Sequence, residues 1–391
     1  MRTLEQARAR SSSGNESSGE DHETVRLARA SRVLRDRCRP FAMKIVIIGA
    51  GVMGCAAARA LAKRGAEVVL LERAIPGAEA SSAAAGILGA QIEMHEKGAL
   101  NDLFVRARRE YMSWASELRD ETGIDIGYRV SGALWTGRTE EEQASIAKAV
   151  AWQRGVGLSA ELLDGAAARE IEPSLASDVI AAAHYPDESQ VDPRLLLRAL
   201  IASLARTKVD LRSGATVQRL LVENDRCVGV CLDDGDLRAD ATVLAAGSWS
   251  SLVPGLPSSM PSVRPARGQI VQLEERPPRL RSIVVGAGTY AVPRGDGRII
   301  CGSTLEMVGF KKEVTAGGVH SILSGTLATL PSLASAALTA TWSNFRPHTP
   351  DEEVLVGAST LAGLFLATGH FRNGILLANE TARAVADAIG A

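Results

Sequence analysis

The chain has 391 residues, and its 44 Lys and Arg against 45 Asp and Glu give a formal net charge of −1 at pH 7. Such a balance provides no basic field of the kind that binds nucleic acid. Apolar residues make up 46% of the sequence, which suits a globular protein with large buried cores, and no apolar run is long enough to span a bilayer. The five scattered cysteines indicate neither a disulfide framework nor a metal site, and a reducing cytoplasm suits them.

Residues 1–42 differ in composition from the rest of the chain. They are rich in Arg and contain low-complexity Ser and Gly at 11–14 and 17–19. We expect a disordered extension, because this segment has too few periodic apolar residues to build a core. Met43 opens the first predicted strand and is therefore an alternative start of the protein.

The first folded stretch, residues 43–73, predicts a strand, a Gly-rich turn, a helix and a second strand. In the turn, Gly49 permits the tight bend, Gly51 lets the backbone approach a pyrophosphate, and Gly54 lets the helix lie close to the strand. The helix N-terminus would face the phosphates, and Glu72 at the end of the second strand can accept hydrogen bonds from a ribose. The pattern predicts a dinucleotide site; a Gly-rich turn in an ordinary α/β protein is the alternative.

Further elements follow from periodicity and turn residues. Residues 80–91 are small and favour either a loop that a flat ligand can approach or an Ala-rich helix. A meander of short strands is predicted over 209–239, and residues 341–350 read as irregular. Helices are predicted over 101–123, 139–154, 193–204, 319–330 and 375–389, and antiparallel strands over 269–273, 283–285, 289–292 and 298–301.

Four further motifs stand in a set order along the chain. They are Ser81–Gln91 (SSAAAGILGAQ), Tyr290–Arg294 (YAVPR), Phe345–Pro347 (FRP) and Gly369–Leu377 (GHFRNGILL). With the Gly-rich turn, they resemble the D-amino-acid oxidase family of FAD-dependent oxidoreductases, and within it the glycine oxidases of thiamine biosynthesis. The resemblance extends from residue 43 to about residue 389.

The resemblance implies an α/β fold with two domains. A Rossmann-like FAD-binding domain would comprise residues 43–95, 190–252 and 342–391. An α+β substrate domain on a mostly antiparallel sheet would comprise residues 96–189 and 253–341. The FAD would be non-covalent, since no cysteine stands near Asn344 and Phe345, where flavin-linking relatives carry one.

The resemblance also implies which residues contact FAD. They come from all three segments of its domain and add to the turn glycines Gly49, Gly51 and Gly54. The set is Val52, Met53, Glu72, Arg73, Ser81, Ala85, Gly86, Ile87, Val217, His370, Phe371, Arg372, Asn373, Gly374, Ile375 and Leu376.

For the reaction, the resemblance implies that Arg346 clamps the carboxylate of a small amino acid or amine, with Tyr290 as helper and Arg372 at the substrate and flavin edge. A planar guanidinium suits this task because it forms two charge-assisted hydrogen bonds to a carboxylate. Hydride transfer from Cα–H to the flavin would give an imino acid and then a 2-oxo acid and ammonia, and dioxygen would be reduced to peroxide. Without the resemblance, Arg346 would read as a solvated surface residue and His370 as a structural one.

Two other functions stay open at this point. One is a D-amino-acid or secondary-amine dehydrogenase that passes electrons to a quinone or carrier. The other is a flavin-binding partner subunit without turnover. Ile87 stands where Met is common in the family, and Gly288 where a larger residue is common, so the substrate is less constrained than the fold. The sequence is also compatible with a homo-oligomer.

Overall fold

The computed structural model describes residues 43–94 and 96–391. The predicted disordered extension, residues 1–42, lies outside the described residues. The strands in chain order are β1 Lys44–Ile48, β2 Glu67–Glu72, β3 Ile87–Leu88, β4 Arg129–Val130, β5 Ala133–Gly137, β6 Glu161–Asp164, β7 Ala181–Tyr185, β8 Ser189–Gln190, β9 Asp210–Ser213, β10 Arg219–Glu223, β11 Arg226–Leu232, β12 Gly235–Arg238, β13 Ala241–Leu244, β14 Arg264–Glu274, β15 Ile283–Gly286, β16 Thr289–Pro293, β17 Arg298–Gly302, β18 Ala337–His348, β19 Leu355–Ala358 and β20 Leu364–Thr368.

The α-helices lie close to their predicted positions where amphipathic periodicity is strong. The helix predicted over 139–154 begins with a capping box, since Thr139 and Glu142 exchange side-chain and backbone hydrogen bonds. The helices in chain order are α1 Val52–Lys63, α2 Ala80–Ala83, α3 Asn101–Thr122, α4 Glu140–Gly155, α5 Gly165–Ile171, α6 Pro193–Leu204, α7 Ala316–Thr329 and α8 Gly374–Ile389.

A six-stranded sheet with the order β19-β20-β13-β1-β2-β9 carries the Gly-rich turn. All its pairings are parallel except β19 with β20. Both faces of its central strands are covered, which explains their continuous apolar sequences. Helices α1, α3, α6 and α8 contribute to the core on one face, and the three-stranded sheet β10-β11-β12 contributes to the core on the other.

An eight-stranded sheet with the order β18-β14-β17-β16-β15-β5-β7-β6 forms the second large layer. It is mostly antiparallel, as expected, with β15 and β5 as the parallel pair. Helix α7 packs on it through Ile322 in a core that also contains Val271 and Cys301. Together the two large sheets give the mixed architecture expected of the fold class.

The prediction that residues 341–350 are irregular was wrong, because most of them belong to β18. This strand pairs antiparallel with β14 from Arg264 opposite His348 to Glu274 opposite Ala337. Its polar side chains are compatible with a strand because β18 lies at the edge of the sheet, where Pro347 is also tolerated. The strand runs across the predicted domain boundary at 341–342, and the assignment of domains stays a prediction.

Two other differences come from long-range pairing. Residues 209–211 were predicted in the meander, but β9 instead joins β2 in the parallel sheet. Strand β7 was not predicted, because its sequence Ala181–Tyr185 is rich in Ala, a residue with low strand propensity. The small residues at 80–91 form the short helix α2 and then β3, so both interpretations of that segment were partly right.

Candidate active site

A cavity of about 700 Å³ extends from the Gly-rich turn after β1 to the strands of the eight-stranded sheet. Its lining contains side chains from β14, β16 and β18 as well as the loop before α8. This volume is within the usual range for a ligand pocket. Of the residues predicted to contact FAD or substrate, the following line the cavity: Gly49, Gly51, Val52, Met53, Glu72, Arg73, Ser81, Ala85, Gly86, Ile87, Val217, Tyr290, Arg346, His370, Phe371, Arg372, Asn373, Gly374 and Ile375.

Two predicted residues, Gly54 and Leu376, do not line the cavity. Leu376 is 2% exposed and belongs to the hydrophobic core beneath the six-stranded sheet. Gly54 faces the turn itself, where an added Cβ would overlap the Gly49 carbonyl oxygen. Its role is therefore the close helix packing expected of the third glycine, without a surface on the cavity.

At the turn, backbone N–H groups are gathered at the start of α1. Ala50 N–H donates to Glu72 Oε2 at 3.0 Å, and Val52 N–H donates to Ser81 Oγ at 3.0 Å. Gly51 is open toward the cavity: within 4 Å an added Cβ would meet only Ser81 Oγ, at 3.2 Å. These two N–H groups are held by side chains, whereas the open backbone at Gly51 and the N-terminus of α1 are the features that bind a diphosphate.

Near the same end of the cavity, charged and aromatic side chains form a wall. The Arg73 guanidinium lies 4.1 Å from the Trp249 ring centroid, in cation–π geometry, and 3.6 Å from Glu79. Trp249 and Glu79 also line the cavity, although the sequence did not mark them. A flat heterocycle can be accommodated against such a wall.

The loop between β20 and α8 is built from residues in unusual backbone conformations. Gly369 has φ +76° and Phe371 has φ +46°, so the chain turns sharply before entering the helix. The His370 ring is buried and bonded through Nε2 to Thr381 Oγ1 at 2.8 Å. Burial lowers the pKa of His370 to about 3, so its imidazole is neutral near neutral pH.

At the other end of the cavity, Arg346 stands beside Tyr290. Arg346 Nη1 donates to the Thr304 carbonyl at 3.2 Å and Nη2 to Ser303 Oγ at 2.5 Å. Within residues 43–94 and 96–391, no carboxylate forms an ion pair with Arg346. A guanidinium that contacts only neutral acceptors here can bind an external carboxylate.

The protonation states of this pair are set mainly by burial. Burial lowers the pKa of the Arg346 guanidinium, although the residue stays cationic at neutral pH because its ordinary pKa is so high. Burial also raises the pKa of the Tyr290 phenol, and the Arg346 charge opposes that shift. Both groups are therefore hydrogen-bond donors near neutral pH.

Two glycines that the sequence did not single out make room for this pair. A Cβ at Gly268 in β14 would lie 2.6 Å from Arg346 Nη2, and a Cβ at Gly302 in β17 would lie 2.5 Å from the Tyr290 hydroxyl oxygen. Glycine inside a strand signals a close approach by another group, so this signal was present in the sequence. The partner in each case follows only from strand pairing.

The remaining wall of this end is apolar with one ion pair at its rim. Trp135, Val285 and Ile92 line it, and Trp135 and Val285 are neighbours on paired strands. Arg372 Nη1 lies 3.4 Å from Glu93 Oε2, and both side chains are partly exposed. The sequence did not indicate Glu93 or Trp135, since neither belongs to a local pattern.

The part of the chain that the structure describes contains neither a candidate metal site nor a candidate membrane-spanning helix. Within it, no cluster of three or more His, Cys, Asp or Glu side chains could hold a metal ion. The helices found there also include none that is long and apolar enough to cross a membrane.

Comparison with known proteins identifies the family of the chain. Residues 44–388 match the model of the family DAO, FAD dependent oxidoreductase. The bifunctional protein ThiO/ThiG of Nostoc sp. (strain PCC 7120) is 40% identical over 350 residues, covering 88% of this chain and 52% of that protein. Glycine oxidase of Geobacillus kaustophilus is 35% identical, covering 88% of this chain and 92% of that protein. The chain thus spans about half the length of the bifunctional relatives.

Solved structures agree with these sequence matches. The crystal structure of glycine oxidase from Geobacillus kaustophilus aligns with a TM-score of 0.84 at 34% identity, over 89% of this chain and 95% of that one. That of iminodiacetate oxidase from Chelativorans sp. BNC1 aligns with a TM-score of 0.79 at 27% identity, over 88% and 95%. The open glycine turn and the long cavity suit the cofactor of the matching family. The chain therefore belongs to the DAO family of FAD-dependent oxidoreductases, and FAD is its cofactor.

Proposed function

We propose that the chain is an oxidase of glycine or another small amino acid that serves thiamine biosynthesis, at its thiazole branch. One observation carries the proposal: Arg346, without a carboxylate partner among the described residues, stands beside the Tyr290 hydroxyl in the cavity that begins at the dinucleotide turn. The similar proteins named glycine oxidase and ThiO/ThiG support the substrate and the pathway. The products would be a 2-oxo acid, ammonia and hydrogen peroxide, with dioxygen as the acceptor.

The predicted cofactor residues would hold FAD in three groups. Gly49, Gly51 and the first turn of α1 suit the diphosphate, and Glu72 suits the ribose hydroxyls. Residues 85–87 and 370–375 would border the ring. When bound, FAD supplies the two-electron acceptor that takes a hydride from the substrate Cα–H.

Substrate binding would rest on Arg346 and Tyr290. The guanidinium holds the carboxylate by two charge-assisted hydrogen bonds, and the phenol donates a third. Because both donors are seated against neighbouring backbone at Gly268 and Gly302, they are fixed before the substrate arrives. Arg372 at the rim would complete the positive end of the site, and this preorganisation contributes to the rate through orientation.

No side chain is assigned as a general base. His370 is unsuited, because its ring is engaged by Thr381 and its pKa is lowered to about 3. The substrate amine would instead bind in its neutral form. The apolar wall of Ile92, Trp135 and Val285 excludes water from the Cα and limits the size of the substrate side chain.

The setting of the enzyme is part of the proposal. Cys55, Cys227, Cys231 and Cys301 are free thiols, which supports a reducing, cytoplasmic compartment. We further propose a homo-oligomer, and a cofactor domain and a substrate domain with the boundaries predicted from the sequence.

The test is oxidation of glycine by the purified, FAD-loaded protein. We expect oxygen uptake with an equal amount of hydrogen peroxide. Dye reduction without oxygen uptake would contradict the oxidase and indicate a dehydrogenase. Bound FAD that no amine reduces would indicate a flavin-binding subunit instead.

Gly268→Ala is expected to lower kcat/KM for glycine about 100-fold, because misplacing a clamp by about 1 Å has effects of this size. The added Cβ lies 2.6 Å from Arg346 Nη2 and forces the guanidinium away from its seat. Steady-state kinetics measure the effect. Gly317→Ala is the matched control, since a Cβ there meets nothing within 4 Å. Unchanged kinetics in Gly268→Ala would show that the close contact with Gly268 does not position the Arg346 guanidinium.

A further inference from the structure

A buried carboxylate outside the cavity holds part of its wall. Glu188, just before β8, is 0% exposed and does not line the cavity. Its Oε1 accepts hydrogen bonds from Gln91 N–H at 2.5 Å and from Ile92 N–H at 3.1 Å. Ile92 and the residue after it, Glu93, line the cavity at its substrate end. The carboxylate therefore acts directly on the backbone of the wall.

The same turn is bonded from a second side. Gln153 of α4, also 0% exposed, donates to the Gln91 carbonyl at 3.0 Å and to the Met94 carbonyl at 2.8 Å. Gln91 Nε2 returns a bond to Gln153 Oε1 at 2.9 Å. The Gln153 amide does not titrate, so it keeps these hydrogen bonds at any pH. Glu188 and Gln153 together form the anchor of the turn 91–93, and Glu188 is its titratable part.

Three charged or titratable side chains lie around Glu188 in the described structure, namely Arg108, Asp187 and Tyr185. Arg108 of α3, 4% exposed, places Nη1 at 3.4 Å from Glu188 Oε1 and Nη2 at 3.8 Å from Asp187. The third is Tyr185 of β7, whose pKa is raised by burial and by the Glu188 charge, so it is neutral. Arg108 and Asp187 carry opposite charges, so the ionisation of Glu188 decides the net charge of the cluster.

We infer that Glu188 is a positioning residue whose ionised carboxylate holds the turn 91–93 in the place that closes the substrate end of the cavity. The inference rests on the proposed function, since it assigns that end to an amino-acid carboxylate. Protonation would weaken both N–H bonds and remove the nearer counter-charge of Arg108. The turn would then be held mainly by Gln153.

The pKa of the Glu188 carboxyl group lies close to neutral pH. Burial raises the pKa of Glu188 to about 7, against the lowering effects of the Arg108 charge and the Gln91 and Ile92 N–H groups. Its Oε2 makes no hydrogen bond within the described residues, so a proton is accommodated there. Because the folded pKa is raised, this group favours folding at low pH and loses that contribution as pH rises through about 7.

The test measures acetate binding to FAD-loaded protein by the change in the flavin spectrum at about pH 6 and about pH 8. Acetate keeps its charge over this range because carboxyl groups titrate near pH 4. In the wild type we expect the dissociation constant to be about three- to tenfold larger at the lower pH, the loss of a charge-assisted bond. Glu188→Gln should show the weaker affinity at both values.

Glu172→Gln is the matched control. Glu172 is also 0% exposed and accepts backbone N–H bonds from Arg281 at 2.7 Å and Ser282 at 3.2 Å, none of these residues lining the cavity. It should keep the wild-type pH profile. A flat wild-type profile, a Glu188→Gln profile like the wild type, or loss of the profile in Glu172→Gln would each overturn the inference.

The outcome separates this inference from the proposed function. If glycine is not oxidised but acetate binding titrates in the wild type and not in Glu188→Gln, the oxidase proposal fails and the positioning role stands. If glycine is oxidised and acetate binding is independent of pH, the positioning role fails alone. A flat wild-type profile would overturn the inference even where Glu188→Gln does not fold.

Discussion

Arg346→Ala is expected to lower kcat/KM for glycine by about 30- to 5,000-fold. The range follows from the roughly 2–5 kcal/mol lost when one partner of a buried, hydrogen-bonded charge pair is removed. Most of the loss should be in KM, because the guanidinium would bind the carboxylate in ground and transition states alike. FAD should still bind, since the turn at Gly49 and Gly51 is at the other end of the cavity. Steady-state kinetics and the visible spectrum together measure both effects.

Two variants define what the Arg346 result means. Arg346→Lys keeps the charge but loses the two-pronged geometry, so it should recover only part of the affinity. Arg383→Ala removes an arginine of α8 that pairs with Glu110 and Glu380 and does not line the cavity, so it should leave KM unchanged. An Arg346→Ala enzyme with the wild-type KM would remove Arg346 from the site.

Gly54→Ala is expected to weaken FAD binding at least about tenfold and to lower the melting temperature. Its Cβ would overlap the Gly49 carbonyl oxygen, and overpacking of a tight contact costs about 1–3 kcal/mol. The clash moves the start of α1 away from the turn, where the N–H groups for the diphosphate are gathered. A fluorescence titration of the apoprotein with FAD measures the change.

The control for Gly54→Ala is Gly155→Ala, since a Cβ at Gly155 meets nothing within 4 Å. It should bind FAD as the wild type does. Wild-type FAD affinity in Gly54→Ala would mean that close packing of α1 on the turn is not what forms the cofactor site.

The Gly-rich turn was predictable because its parts are local. Strand, turn, helix and strand follow one another within residues 43–73, and each glycine has a separate steric task that the structure shows at Gly49 and Gly54. Helices with clear amphipathic periodicity were predicted for the same reason. Strand β18 was misread because its polar edge-strand sequence is compatible with a strand only once β14 lies beside it.

The substrate end of the cavity was only partly predictable. Arg346 and Tyr290 followed from a resemblance in their motifs, whereas their own sequence context suggested an ordinary surface Arg and a half-buried aromatic. Gly268 and Gly302 contact Arg346 and Tyr290, and Glu188 bonds the turn at Gln91. These contacts depend on which strands and loops pack together although they are far apart in the sequence. A glycine inside a strand signals that some group lies close to it, but not which group. The partners of Gly268 and Gly302, and the role of Glu188, therefore emerged only from the structure.

Anaerobic titration of the FAD-loaded protein with glycine shows whether the chain oxidises a small amino acid. We expect glycine to bleach the visible absorbance of the flavin without oxygen, and we expect admitted oxygen to restore the absorbance with release of hydrogen peroxide. A flavin that remains oxidised with glycine and with every other small amino acid tested would contradict the proposed oxidase.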